Sequence, residues 1–571
     1  MRNWCIIPAS ITDTQSVAER QTQMAEAINL ALLRLTKRAE MADPQTLVNT
    51  FVDTGMLGAL LASRDHQIIY GRRGTGKTHA LIYLSEKKRD IGDLPIYIDM
   101  RTIGSSVGIF GDDSIPLSER ATRLLRDTLA AIHGKLFEYA VENSGHLNLG
   151  VVGEQLDAFI EASTETQVSG TVADEAQVGR SEKDERATSL GLSASVKNFT
   201  GSANISDKAE TGVYEQHKIT SSGQIRHRVR FGAIDQALSK IAETITPNRI
   251  WILLDEWSAI PLELQPFLAD LIRRCMLPVR GISIKIAAIE QRSQFGISGV
   301  RGDYVGIEVG ADMTADLNLD DFMVFDNDSS RSVSFFRRLI FNHYRSAQEE
   351  NGEQPAATDE STFVKLAFTQ RNALEELARA AEGVPRDAIN LIAICAQKAG
   401  VNSISVGSAR AAAKTWYQRD KESAVSSNMH ARALLHWIID EVIAHRRARA
   451  FLLLSTTRDA LIDALFDARV LHLLKRNISA ADQPGVRYDA YKIDYGCYVD
   501  LLTTVREPGG LFPAGEVDET AGGFIDVPPD DYRAIRRAIL DLSHFAQSGA
   551  SGANQQVGSD VPASNDTTAT G

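Results

Sequence analysis

Residues 71–78, Gly-Arg-Arg-Gly-Thr-Gly-Lys-Thr, satisfy the spacing G-x-x-x-x-G-K-[ST] in full. Glycines at 71, 74 and 76 let successive backbone N–H groups turn inward around a phosphate without Cβ collisions. Lys77 supplies a point charge to β- and γ-phosphates, and the Thr78 hydroxyl is a ligand for Mg²⁺. A helix opening here directs its positive end at the same anion. The candidate ATP contacts are therefore Gly71, Arg72, Arg73, Gly74, Thr75, Gly76, Lys77, Thr78 and the adjoining His79. A second constellation is Asp255-Glu256, two acids closing an apolar run. In phosphoryl-transfer sites built on such a loop, an acid at this strand end holds the Mg²⁺ shell and the next acid orients the attacking water. That assigns Asp255 to the metal with Thr78, and Glu256 to catalysis beside Lys77. An apolar run ending in Asp-Glu is by itself compatible with an ordinary turn. Joined to the phosphate loop, it points to ATP hydrolysis rather than binding alone.

These side chains need a scaffold that holds loop and acids on parallel strands. Residues 66–70 read as a buried strand running into the glycine turn, followed by a helix over 78–88 and a second strand over 95–99. Strand, turn, helix, strand opens an α/β sheet. Residues 250–254, Ile-Trp-Ile-Leu-Leu, are continuously apolar, as a strand covered on both faces must be. A helix over 262–275, a strand over 282–289 and a fifth strand over 304–309 complete the sheet domain. Helical spacing also marks 17–40, 44–63, 115–163, 331–349, 361–381 and 385–399. Between about 104 and 231 the sheet is interrupted by an insertion. Its later part, from about 164, turns rich in Ser, Thr, Gly and charge, with hairpin-like alternation at Leu190, Leu192, Ala194 and Val196 and at Ile225, Val229 and Phe231.

The strings YGRRGTGKTH, ILLDEW, the polar strand end Ile289-Glu290-Gln291-Arg292 and EGVPRDAINL together resemble the AAA+ ATPases of the ORC/Cdc6-like, origin-recognition branch. The resemblance spans about 66–400, and a winged-helix domain extends it to about 505. It implies an α/β fold with a P-loop AAA+ sheet domain, a helical lid and a C-terminal winged-helix domain. The corresponding divisions are 1–63 (N-terminal helical segment), 64–310 (sheet domain with its insertion), 311–402 (lid), 403–507 (winged helix) and 508–545 (strand and helix extension). A disordered tail over 546–571 follows. The resemblance makes Lys77 and Thr78 the Walker A pair and Asp255 and Glu256 the Walker B pair. It places a sensor-1 residue among Glu290, Gln291 and Arg292. The family's sensor-2 arginine follows a Gly-x-Pro, and Gly383-Val384-Pro385-Arg386 matches it. Arg386, at the start of a lid helix, would reach a γ-phosphate and bind ATP. An arginine finger donated by a neighbouring copy is expected among Arg273, Arg274, Arg292 and Arg301, which implies a homo-oligomer. The insertion is longer than the family's usual helical element, and no basic N-terminal tail is present.

Composition frames the partners. The 571 residues carry 61 Lys and Arg against 74 Asp and Glu, a net charge of −13, so no global basic field draws nucleic acid. Residues 404–507 instead hold 15 basic and 12 acidic side chains. The patch His445, Arg446, Arg447, Arg449 and the wing-flanking Lys475, Arg476 and Arg487 could meet DNA phosphates. Against this, Asp459, Asp463 and Asp467 at i, i+4, i+8 read as one exposed acidic stripe on the helix in the recognition position, with Asp482 and Asp489 in the wing. The partner of the winged helix is thus DNA or a protein. The tyrosines at 488, 491, 495 and 498 read as strand residues rather than base-stacking platforms. Four separated cysteines form no CxxC pair and read as reduced thiols. No signal peptide or membrane span is legible, so a cytoplasmic location is expected. A second reading is a STAND-type signalling switch, which also joins a P-loop domain, a lid and a winged helix, and acts in bacterial defence.

Overall fold

The structure, a computed structural model, describes residues 17–53, 56–104, 115–145, 147–164, 166–177, 216–227, 229–245, 248–298, 304–320, 328–446, 448, 450–479, 485–502 and 538–545. In chain order the elements used below begin with α1 (Val17–Leu33), α2 (Pro44–Thr50), α3 (Leu57–Leu61), β1 (Gln67–Tyr70), α4 (Lys77–Asp90) and β2 (Leu94–Asp99). The insertion contributes α5 (Leu117–Glu142), α6 (Leu149–Thr164), β3 (Thr166–Gln177) and β4 (Gln216–His227), and α7 (Phe231–Ile245) follows it. Then come β5 (Ile250–Asp255), α8 (Gln265–Cys275), β6 (Ile282–Ala288), β7 (Gly296–Ser298), β8 (Tyr304–Gly306) and β9 (Thr314–Asn318). The remainder is α9 (Ser329–Glu350), α10 (Glu360–Ala367), α11 (Arg371–Ala380), α12 (Pro385–Ala399), α13 (Val406–Trp416), α14 (Met429–Ile438), β10 (Ala450–Leu454), α15 (Ala460–Asp467), β11 (Leu471–Ser479), β12 (Arg487–Ile493) and α16 (Tyr495–Leu502).

The chain divides into two compact units. One gathers Met1–Ala62, Tyr70–Tyr83 and Leu317–Gly571, and the other Ser63–Ile69 and Leu84–Asp316. The second unit is built on a five-stranded sheet in the order β2-β5-β6-β1-β9, so a single strand separates the strand leading into the glycine loop from the strand ending in Asp255. β2, β5 and β6 pair in parallel, and every residue of β5 and β6 is buried. Two-sided burial is why β5 reads as an unbroken apolar run up to Asp255. In β6 two polar residues are buried, Ser283 and Lys285, and Lys285 donates to Gln67 Oε1 at 3.0 Å and stands 5.6 Å from the Trp251 ring. Burial pushes its ammonium down to about 8.

Several sequence expectations need correction here. The segment at 304–309 is not the fifth sheet strand. β8 pairs antiparallel with β7 in a separate two-stranded sheet, and the fifth strand is β9, beyond residue 310. β9 has only Leu317 buried, so an edge strand with four partly exposed residues carries no apolar run to recognise. Phe231 begins helix α7 instead of continuing the hairpin, which is the antiparallel pair β3–β4 from Thr166↔His227 to Gln177↔Gln216. The expected alternation at 190–196 and the tail from 546 lie outside the described residues. The helix expected over 44–63 is split, and Asp53 accepts the Gly58 N–H at 3.1 Å ahead of α3. The one over 361–381 breaks at Phe368, which is extended and bridges Ile404.

In the first unit, α1 and α9–α13 enclose a core of Ile28, Leu32, Phe336, Ile340, Tyr344, Phe363, Leu377 and Ile392. The C-terminal module has its own core, with Leu434, Ile438, Phe451, Leu465, Leu471 and Tyr498. Its order of α14, β10, α15 and a β11–β12 wing, closed into an antiparallel sheet β10-β12-β11, is winged-helix order. The strand expected to carry the tyrosines at 488, 491, 495 and 498 stops at Ile493. The Asp494 carboxylate accepts the Gly496 N–H at 2.9 Å, a local turn that starts α16 and buries Tyr495 and Tyr498 as helix residues. The expected acidic stripe on α15 is absent. Asp459 caps the helix by accepting from Leu461 N and Ile462 N, Asp467 is buried, and Asp463 is half-buried. A residue that opens a helix caps it by bending its carboxylate onto the first turn, so i, i+4 spacing does not make it a face residue. In the wing Asp489 accepts the Asn477 N–H at 2.9 Å. Arg447, Arg449 and Asp482 lie outside the described residues. Among those described, no helix is long and apolar enough to cross a membrane, and Cys275, Cys395 and Cys497 are buried free thiols.

Candidate nucleotide site

The glycine loop leaves β1 at Tyr70 and enters α4 at Lys77. Gly74 and Gly76 adopt φ of +89° and +96°, the left-handed region where a side chain is strained. A Cβ on Gly76 would meet nothing within 4 Å, so the loop there opens onto space a ligand can occupy. Lys77 Nζ lies within the loop, donating to Gly71 O at 2.7 Å and Arg72 O at 3.1 Å, and Thr75 Oγ1 donates to Arg72 O at 2.9 Å. Thr78 is half-buried and Arg73 exposed. This donor set fits a triphosphate with its magnesium: backbone N–H groups in a glycine turn, an ammonium, a hydroxyl and a helix N-terminus.

Two residues of the loop string direct their side chains to partners elsewhere in the same unit. The Arg72 N–H goes to Asp320 Oδ2 at 2.8 Å, and its guanidinium is buried among Asp320, Glu382 O and His472, so its contribution to the loop is its carbonyl. His79 turns to the N-terminal helices, its Nε2 2.6 Å from Leu47 O and its ring 5.4 Å from Phe51. Burial lowers its pKa, so the ring is neutral and Nε2–H is the donor.

The lid helix α12 starts beside the loop. Glu382 and Gly383 both have positive φ, +49° and +78°, a turn that the buried Lys492–Glu382 ion pair at 2.9 Å holds in place. Pro385 then takes the first helical position, where its missing N–H costs nothing. The next N–H, of Arg386, donates to Gly74 O at 3.1 Å. A Cβ on Gly74 would come within 3.0 Å of Arg386 Cβ and 3.1 Å of Val384 Cγ1, so glycine is required there by close approach as well as by φ. Arg386 is half-buried, and among the described residues no ion pair or hydrogen bond engages its guanidinium.

Of the two acids, Asp255 ends β5 and Glu256 follows it at the cap of a short 3₁₀ turn. Asp255 is fully buried and accepts the Tyr97 hydroxyl at 2.7 Å and the Glu256 N–H at 2.8 Å. Glu256 is half-buried and sits at φ +54°, a left-handed conformation for a side chain that sequence inspection cannot foresee. The loops after β5 and β6 are tied together: Ser258 Oγ lies 3.0 Å from Ser293 Oγ and accepts the Ile289 N–H, and Gln265 donates to Arg292 O at 3.1 Å. Ser258 and Gln265 carry no motif that marks these contacts in the sequence. Glu290, Gln291 and Arg292 form a short 3₁₀ turn at this point, with Arg292 exposed. Of the finger candidates, Arg273 and Arg274 both bind Asp270, at 2.8 and 2.6 Å, and Arg301 lies outside the described residues.

Behind the loop lies a buried polar chain that spacing did not predict. Arg72 Nη1 is 2.8 Å from His472 Nδ1, and His472 Nε2 is 3.1 Å from Asp494. Arginine only donates, so Nδ1 accepts and the ring proton is on Nε2, aimed at the carboxylate. Lys421 bridges Asp494 at 2.5 Å and Asp387 at 3.1 Å, and Arg469 joins Asp387 at 3.2 Å. Burial opposes the charge on Asp494 and Asp387, but Lys421 beside both, with His472 and Arg469, holds each carboxyl below its usual range.

Burial, with the Arg72 charge added, pushes His472 down to about 3, and burial takes His343 to about 4. Both folded values lie below the ordinary value of about 6.5, so the unfolded chain takes up protons first. The stability they contribute is present above about pH 6.5 and is lost as pH falls toward 4, by about 1.4 kcal/mol per pH unit for each histidine. Thermal unfolding should thus move to lower temperature between pH 7 and 5, with a shallower slope in His343→Leu. A transition temperature constant over that range would contradict the assignment.

Comparison with known proteins bears on the same segment. The ORC-CDC6-like family model matches residues 35–91, which contain the glycine loop and α4. No curated protein matches. A solved structure of the Aeropyrum pernix ORC1 protein in complex with DNA aligns with 82% of this chain and 93% of its own, at 12% identity and a TM-score of 0.28. Over residues 35–91 the chain is thus similar to the ORC-CDC6-like family, and that segment lies in an α/β fold with a central parallel sheet.

Proposed function

We propose that the protein is an ATP-binding and ATP-hydrolysing AAA+ ATPase whose nucleotide state is coupled to assembly on DNA. The observation carrying this reading is the complete glycine loop with the lid helix seated on it, Arg386 N–H on Gly74 O at 3.1 Å. Bound ATP and Mg²⁺ would supply the electrophilic phosphorus and the metal charge. In this reading the loop N–H groups and Lys77 would hold phosphate oxygens, Thr78 and Asp255 would serve the metal, Glu256 would orient water, and Arg386 would sense the γ-phosphate from the lid.

DNA is favoured over a protein partner because the expected acidic face on α15 does not exist. Asp459 is spent on a cap and Asp467 is buried, while Lys475 and Arg487 are exposed on the wing. ATP turnover measured alone, with duplex and with single-stranded DNA, across a salt series, tests this. Stimulation by DNA that falls steeply with salt is expected, since phosphate contacts release counterions. Glu256→Gln should retain ATP binding while turnover drops by about a hundredfold or more. Turnover by this variant at the wild-type rate would remove Glu256 from its role. The buried grip of the C-terminal module on Arg72 also suits a STAND-type switch, which stimulation by a protein and none by DNA would select.

A further inference from the structure

Arg72 is the residue on which two sets of contacts converge. Its carbonyl accepts Lys77 Nζ at 3.1 Å and Thr75 Oγ1 at 2.9 Å. Its guanidinium, buried in a residue only 4% exposed, donates to Glu382 O at 3.0 Å, to Leu471 O at 3.3 Å and to His472 Nδ1 at 2.8 Å. It pairs with Asp320 at 2.9 Å and stands 5.3 Å from the Phe466 ring. Leu471, His472 and Phe466 belong to the C-terminal module. The link also returns to the loop by a second route. From His472 the contacts run through Asp494 and Lys421 to Asp387, the neighbour of Arg386, whose N–H holds Gly74 O. The loop is thus gripped at residue 72 by the C-terminal sheet and at residue 74 by the lid helix, and one buried ionic chain joins the two grips.

We propose that Arg72 is a positioning residue through which the C-terminal module restrains the phosphate loop, so that release of this contact opens the loop to nucleotide. The proposal rests on the reading that the loop binds ATP. Physically, a nucleotide must take Lys77 from the carbonyls of Gly71 and Arg72. While the guanidinium is anchored in the module, the Arg72 carbonyl is fixed beside Lys77 and resists that exchange. The binding-competent loop is then a minor state, and the measured affinity is reduced by its fraction. Coupling of this kind is reciprocal, so nucleotide must in turn loosen the module's hold on Arg72.

The test uses the full chain and a fluorescent ATP analogue in stopped flow. Arg72→Gln and His472→Asn should each raise the association rate and the affinity by about tenfold, and the double variant should gain no more than Arg72→Gln alone, because both break the Arg72–His472 contact. Unchanged or lowered affinity in the single variants, or effects that add in the double, would overturn the proposal while leaving the nucleotide reading intact. Absence of binding by wild type and variants alike would overturn both. Should the variants unfold, the wild-type chain decides: backbone hydrogen exchange over 471–474 should accelerate with the analogue bound, and exchange that is unchanged or slowed refutes the restraint. A purely structural network would lower the melting temperature of the variants without moving the association rate.

Discussion

Lys77→Ala is expected to lower the affinity for ATP by about a hundredfold, the loss of a charge-assisted contact worth roughly 1.5–3 kcal/mol. The fold should survive. Lys77 Nζ is bonded to the carbonyls of Gly71 and Arg72, and both are loop acceptors that water can satisfy once the loop opens. Titration with a labelled ATP analogue, with circular dichroism as the check on folding, measures this directly. Retained affinity would mean that the glycine loop does not hold a phosphate, and the ATPase reading would fail with it.

Lys421→Ala should be the most damaging single change to stability, by about 3–5 kcal/mol, because it leaves two buried carboxylates short of their shared cation. Asp494 and Asp387 are 1% and 0% exposed in their side chains, and Lys421 bridges them at 2.5 and 3.1 Å. Arg469 still serves Asp387, but Asp494 keeps only the neutral His472 and local backbone donors. Denaturant unfolding of the full chain measures the loss. Pairing the change with Asp494→Asn should recover part of it, since removing both members of a buried pair costs less than removing one. A loss below about 1 kcal/mol for Lys421→Ala, the scale of a surface pair, would show that the network is solvated.

Both expectations concern the first unit, yet they differ in how far sequence could anticipate them. Lys77 lies in a string that spacing alone marks as a proposed phosphate loop, because such a loop is local and needs its glycines, lysine and hydroxyl within eight residues. The strand end at Asp255 and the helix start at Pro385 were legible as local structure for the same reason: each is a short stretch closing or opening an element. The parallel strand β5 announced itself because burial on two faces demands continuous apolar residues.

Tertiary structure decided everything that depends on residues far apart in the chain. Arg72 and His472 are 400 positions apart, and neither residue type at its position signals the other. An arginine inside a phosphate loop reads as a phosphate contact until the fold shows its guanidinium paired behind the loop. The three aspartates of α15 formed a stripe on paper, but capping and burial are properties of where a helix begins and what packs on it. The edge strand β9 escaped notice because a strand with one buried residue has no periodic signature, and only its ladder identifies it. Local spacing states which chemistry a segment is equipped for, whereas long-range packing determines which of those side chains are free to perform it.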